Sequence, residues 1–186
     1  MTPTSRHGGA FFIPIPSICY NIFMKRQGFS LVELLVVIAI IGIIASAIFV
    51  SLSWTTKKAR DVKRKADLSQ IGRFLSASSC YLPNAGAGDY DILSLMDELK
   101  IKYPQYAEYA SRAPKDPRAG TDSQAFYRYL VSENGASCAL YANLEREEES
   151  VTLLNLTAPT AGGGSGVLQA AGAGWNGSTK YFQMSR

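Results

Sequence analysis

The chain has 186 residues and a formal net charge of +4. Three basic residues, Arg6, Lys25 and Arg26, precede Gly28, so beyond that point 16 basic residues face 15 acidic ones, a net of +1, which is weak ground for a nucleic-acid partner. His7 is the one histidine, and with three cysteines it makes neither a zinc-type ligand set nor a histidine-based catalytic constellation.

Residues 1–24 contain Phe11-Phe12-Ile13-Pro14-Ile15-Pro16 and Cys19. They are too short, too broken by proline and too poor in charge to read as a domain. From Phe29 to Thr56 the chain is apolar apart from one charge, Glu33. About 20 apolar residues cross a bilayer core as a helix, and this run exceeds that. It is apolar on all faces, which a soluble domain seldom needs. A plain single-pass anchor accounts for the hydropathy. A secretory signal peptide fits less well, because its apolar core is about 7–15 residues long and a small-residue cleavage site follows it. Neither accounts for Glu33. A carboxylate inside hydrocarbon costs a few kcal/mol and calls for a partner. One reading places it shallow, at the headgroups. Another supplies a cation: a cut after Gly28 would create an amine at Phe29, with an ordinary pKa of about 7.7–8.0. Positions 29 and 33 are i and i+4 on one helical face. The amine then meets the carboxylate within the chain or from a neighbouring subunit.

The run Lys25-Arg26-Gln27-Gly28 followed by Phe29-Ser30-Leu31-Val32-Glu33-Leu34-Leu35 resembles the class III signal of type IV pilins and type II secretion pseudopilins. The resemblance is strongest over residues 25–75. It implies a prepilin peptidase that recognises Lys25 and Arg26, cuts after Gly28 and methylates the new amine of Phe29. It implies a filament with a core of such helices, Glu33 as the assembly residue, an inner-membrane assembly platform and other pilins or pseudopilins as partners. It also implies a C-terminal domain outside the cytoplasm. Met24 opens a compact leader of the kind this family uses, so translation from Met24 and a longer leader from Met1 are both open. Many pilins carry a proline in the second half of the apolar run; this chain has none between Pro16 and Pro83.

Lys57, Lys58, Arg60, Lys63, Arg64 and Lys65 crowd the next segment. Positive-inside counting would place them in the cytoplasm, against the resemblance. They are expected to form a solvated helix face in contact with headgroups rather than a DNA site. Leu68, Ile71, Phe74, Leu75 and Ser78 recur as one apolar stripe. One helix is expected from 29 to 79, about 75 Å long. Residues 29–56 form its membrane or filament-core half and 57–79 its amphipathic half.

Residues 80–186 are expected to form a small α+β head, an antiparallel sheet packed on the long helix. Pro83 to Gly88 reads as a loop, and Asp91 as the cap of a helix from Ile92 to Lys100 that buries Leu95, Met96 and Leu99. Pro114 to Gly120 is turn chemistry. Ala125–Val131, Asn134-Gly135 and Ala136–Leu144 read as a hairpin, and Val151–Leu156 as a third strand. The Gly/Ala-rich stretch 158–174 reads as flexible loop. Trp175, Tyr181 and Phe182 belong to a last strand or a plug. The order of these features is similar to that of major type II secretion pseudopilins.

Three further expectations follow. In an extracytoplasmic domain Cys80 and Cys138 are an even pair, either bridged or two buried thiols. Related pseudopilins carry a calcium loop late in the domain; Asp116 and Asp122 are weak candidates here, and a solvated acidic face that includes Glu145–Glu149 is the alternative. Asn155-Leu156-Thr157 and Asn176-Gly177-Ser178 match the glycosylation sequon, as many sequences do by chance. The expected role is therefore that of a structural filament subunit without a cofactor. A membrane-anchored binding module, a pilus pilin, a competence pseudopilin and a secreted enzyme are the alternatives, the last lacking an active-site cluster.

Overall fold

The structure, a computed structural model, describes residues 28–75 and 79–186. The chain divides into two compact units, Met1–Ile43 and Ile44–Arg186. Helix α1, Leu31–Leu75, begins in the first and ends in the second. Ser30 sets its start. The Ser30 hydroxyl accepts the Val32 N–H at 3.3 Å, and the Ser30 carbonyl accepts the Leu34 N–H at 3.1 Å. A residue in that role lies outside the helix, so Phe29 precedes the helix that was expected to include it. Helix α1 is described to Leu75 rather than to 79, and Ser79 already forms a bend. Ser78, the last member of the expected stripe, lies outside the described residues.

In the first unit every described side chain from Phe29 to Ile43 is exposed. In the second unit α1 buries Asp61, Arg64, Leu68, Ile71 and Leu75. Their spacing of three and four puts them on one face. This face packs on Tyr129, Val131, Cys138, Leu140 and Ala142, with Phe182 and Met184 at the margin. The approach is close: a Cβ on Gly72 would stand 3.4 Å from the Met184 Cε and 3.5 Å from the Leu140 Cδ1. The layout is α+β, one long helix on a small antiparallel sheet.

The sheet has five strands in the order β1-β2-β3-β5-β4: β1 Gly88–Asp91, β2 Arg128–Val131, β3 Cys138–Asn143, β4 Gly166–Gln169 and β5 Lys180–Ser185. All four pairings are antiparallel. The β2–β3 turn carries the expected Asn134-Gly135. Gly135 sits at φ 64°, its N–H donates to the Ser132 carbonyl, and Asn134 Oδ1 accepts the Ala136 N–H. The first hairpin strand starts at Arg128, not Ala125. The Ala125 and Phe126 N–H groups donate to the Asp91 carboxylate, both at 3.0 Å, and Phe126 turns to φ 59°, which no ladder accommodates. Asp91 also caps helix α2, Ile92–Lys102, by accepting the Leu93 N–H at 2.9 Å. Ile92, Leu95, Met96 and Leu99 of α2 are buried. Helix α3, Ala107–Ser111, follows a 3-10 turn at Pro104–Tyr106.

Two expectations fail between residues 151 and 174. Val151–Leu156 is not a strand. The Thr152 and Leu153 N–H groups both converge on the Val167 carbonyl, and the chain turns back through Leu156 N–H to Leu153 O. The Gly/Ala-rich stretch, expected to be a flexible loop throughout, contains strand β4, paired to β5 from Gly166↔Gln183 to Gln169↔Lys180. Its Val167 N–H donates to the Thr152 hydroxyl at 2.8 Å, so this sheet edge is partly covered. Tyr181 and Phe182 belong to β5, while Trp175 lies in the preceding turn and packs against Phe126, Tyr141 and Tyr181.

Candidate functional site

The residues expected from the sequence to be processed and to direct assembly fall at the start of the described chain. Lys25 and Arg26 lie outside the described residues. Gly28 and Phe29 precede α1 in extended, open chain; a Cβ on Gly28 would meet nothing within 4 Å, and Phe29 is 78% exposed. Glu33 is exposed in the first turn of α1, where the helix dipole favours a negative charge. It has no hydrogen bond or ion pair with any described residue. Phe29 stands before the Ser30 cap, outside the helix that carries Glu33. Around it Leu31, Val32, Leu34 and Leu35 are all exposed, and α1 is the one described helix that is long and apolar enough to cross a membrane.

A second constellation lies where α1 meets the head, within the second unit. Arg64 is fully buried. Its Nε and Nη2 make a fork on Asp116 at 2.7 and 2.9 Å, its Nη1 donates to Asp61 at 2.7 Å, and Nη2 also reaches Glu145 at 2.8 Å. Arg60 clasps both oxygens of Glu145, at 2.6 and 2.5 Å. The carboxylates have further donors. Asp61 accepts the Glu145 and Arg146 N–H groups. Asp116 accepts the Arg118 and Ala119 N–H groups and the Asn176 amide. Two guanidinium groups thus hold three carboxylates from α1, from the loop after α3 and from the end of β3.

The electrostatics follow from that count. Burial by itself would raise the Asp116 carboxyl. The Arg64 fork and the donors from Ala119, Arg118 and Asn176 outweigh it and hold Asp116 below the usual carboxylate range. Glu145 is likewise held low against burial by Arg60 and Arg64. Arg64, opposed by burial, is pushed upward by Asp116, Glu145 and Asp61 and stays charged. Nearby, burial raises Asp67 in spite of its hydrogen bond from the Tyr127 hydroxyl at 2.8 Å.

This arrangement overturns the reading of residues 57–65 as a solvated face throughout and of Asp116 and Glu145 as a solvated acidic face. Lys57, Lys58 and Lys63 are exposed, but Arg64 is not, and Lys65 pairs with Glu149. Of the two calcium candidates, Asp116 spends its oxygens on Arg64, Asn176 and backbone donors, and exposed Asp122 pairs with Lys115 at 2.9 Å. No cluster of three metal-ligating side chains occurs among the described residues. Of the sequon asparagines, Asn155 is exposed, whereas Asn176 is buried and donates to Asp116 and the Asn143 carbonyl. Cys80 and Cys138 form a disulfide with a Cα–Cα distance of 5.8 Å, which ties the segment after α1 to the first residue of β3.

Sequence reasoning missed the Arg64 cluster. Its partners lie 52 and 81 positions away, and a lysine- and arginine-rich helix reads as solvated. The available sign was the i, i+3 pair Asp61–Arg64 in phase with Leu68 and Ile71.

No curated protein and no solved structure matches the chain. Residues 23–49 match the family described as the prokaryotic N-terminal methylation motif. That span contains the leader end, the Gly28–Phe29 junction, Glu33 and most of the apolar run. The chain therefore carries a class III signal peptide of the type IV pilin-like kind at its N-terminus.

Proposed function

We propose that the chain is a structural subunit of a type IV pilus-like filament, of the secretion pseudopilin kind. In this reading residues 1–28 are a leader, removed by a prepilin peptidase that cuts after Gly28 and methylates Phe29. Residues 29–56 anchor the chain in the membrane and then pack in the filament core, 57–79 carry the head, and 80–186 are the head itself, outside the cytoplasm. The subunit performs no reaction of its own, needs no cofactor and works through copies of itself, other pilins and an inner-membrane assembly platform.

The observation that carries the reading is Glu33: a carboxylate without a partner among the described residues, on an exposed apolar helix, inside a methylation motif. A carboxylate in hydrocarbon needs a cation. The Phe29 amine created by the cut supplies one, within the chain or from a neighbouring subunit, and from a neighbour it would fix the axial register of two packed helices. The test is the intact mass and N-terminal sequence of membrane-extracted protein made with and without a prepilin peptidase. A chain that starts at Phe29 and is heavier by one methyl group is expected. A chain that keeps residues 24–28 beside active peptidase leaves an ordinary anchored module and ends the filament reading.

A further inference from the structure

In the second unit an open cavity of about 510 Å³ lies beside Cys80, and a smaller one of about 410 Å³ adjoins Trp54. The second is bounded by Trp54, Lys57, Glu145, Arg146, Glu147 and Glu148. Its charges are not all committed. Glu145 is held by Arg60 and Arg64. Glu147 accepts the Thr179 N–H and hydroxyl at 2.7 and 2.9 Å. Exposed Lys57 and exposed Glu148 have no partner among the described residues. Arg146 gives its Nη1 to Glu149 at 3.0 Å, but its buried Nε has no acceptor. Its guanidinium lies 4.7 Å from the centre of the Trp54 ring, and the Lys58 ammonium lies 5.4 Å from the same ring.

Three features therefore converge: an unpaired cation and an unpaired N–H donor, an unpaired carboxylate, and an aromatic ring that is 48% exposed. A phosphate diester suits Lys57 and the Arg146 Nε. A primary ammonium suits Glu148. Trp54 stands two positions beyond Leu52, the last large aliphatic residue of the apolar run. A helix from Leu31 to Leu52 advances about 32 Å, the thickness of a hydrocarbon core of about 30 Å. Tryptophan at such a boundary sits at headgroup level.

We infer that the Trp54 cavity binds the headgroup of a phosphatidylethanolamine-type lipid, its phosphate on Lys57 and Arg146 and its ammonium on Glu148. The inference rests on residues 29–56 spanning a membrane. The site selects a primary over a quaternary ammonium, because a carboxylate such as that of Glu148 takes hydrogen bonds that a choline cannot give.

The test uses the full chain in nanodiscs of equal phosphatidylethanolamine and phosphatidylcholine, with native mass spectrometry of the lipid that stays bound on release. One hydrogen bond to a charged group corresponds to about a tenfold preference. Preference of that order for phosphatidylethanolamine is expected, with loss to near parity in Glu148→Gln, whereas Lys57→Gln, which loses a contact to the phosphate both lipids share, is expected to retain less of either lipid at an unchanged ratio. Both positions are exposed, and unchanged thermal melting verifies that the variants fold. Equal retention of the two lipids by the inserted wild-type chain, a preference that Glu148→Gln keeps, or undiminished lipid retention by Lys57→Gln overturns the site and leaves the membrane reading intact. Failure of excess soluble glycerophosphoethanolamine to displace the bound lipid overturns recognition through the headgroup. A chain that alkaline carbonate washes off the bilayer overturns the spanning reading and the site with it.

Discussion

Arg64 is a buried arginine surrounded by three carboxylates, and its energetics are asymmetric. Taking these charges out of water is costly, and their mutual hydrogen bonds offset that cost only while every member is present. Arg64→Ala leaves Asp61 and Asp116 without their cation and Glu145 with Arg60 and, at 3.9 Å, Arg118. A loss of about 3–5 kcal/mol in urea unfolding of the detergent-solubilised chain is expected, the range for breaking a buried pair. Arg64→Lys is expected to recover little of it, since one ammonium cannot reproduce the fork on Asp116 while also reaching Asp61 and Glu145. Wild-type stability in Arg64→Ala would mean that the cluster contributes nothing. At the same scale Gly166 has a defined reason to be glycine: its φ is 156°, and a Cβ there would lie 2.2 Å from the Thr152 hydroxyl. Gly166→Ala is expected to loosen β4 from its Thr152 cover, read as faster amide exchange at Val167 without loss of the β2–β3 pairing.

The elements differ in how far local chemistry determined them. The stripe through Leu68, Ile71 and Leu75, the Asp91 cap and the Asn134-Gly135 turn are each set within a few residues, so sequence exposed them. Strand β4 is set from far away. Its Gly166-Val167-Leu168-Gln169 has no alternation and stands in a Gly/Ala-rich stretch, and it is a strand because β5 pairs with it and Thr152 caps its free edge. Val151–Leu156 has the apolar content of a strand, but it meets the open edge of β4 only at Val167, where the Thr152 and Leu153 N–H groups share one carbonyl, and then turns back through Leu156. The Arg64 cluster is the extreme case, since charge in sequence carries no sign of whether an opposite charge will be brought to it. The disulfide is also long-range in its effect. It joins positions 58 apart and fastens the segment after α1 to β3. Restricting that loop in the unfolded chain contributes about 2–4 kcal/mol. The double variant Cys80→Ala with Cys138→Ala is expected to lose that amount and to become indifferent to reductant in the same unfolding experiment. An unchanged midpoint in the wild type after full reduction would count against this contribution.

At the scale of the whole molecule, acid and assembly make separate demands. Asp116 and Glu145 titrate below their ordinary range in the folded chain, while the unfolded chain has them at about 3.9 and 4.3. The unfolded state therefore takes up protons first as pH falls. The stability from these two groups is complete above about pH 5 and is lost progressively as pH falls through the unfolded toward the folded values. Asp67 runs the other way. Burial raises it in the folded chain, so its cost is present above its unfolded pKa and is relieved by acid. With two depressed groups against one raised, a melting temperature that declines below pH 5 is expected, and Arg64→Met should flatten the decline because it removes the cation that depresses both carboxyls. Glu33 lies apart from this network, has no described partner and makes no contact on which the head depends. Glu33→Ala is therefore expected to leave the melting curve, membrane insertion and cleavage after Gly28 unchanged, and to abolish filaments seen by electron microscopy of cells that overproduce the subunit. Glu33→Gln should fail too, because an amide keeps the shape and offers the Phe29 amine no charge. Filaments of normal number and length from Glu33→Ala alone would show that apolar packing of residues 29–56 sets the register without a charge pair.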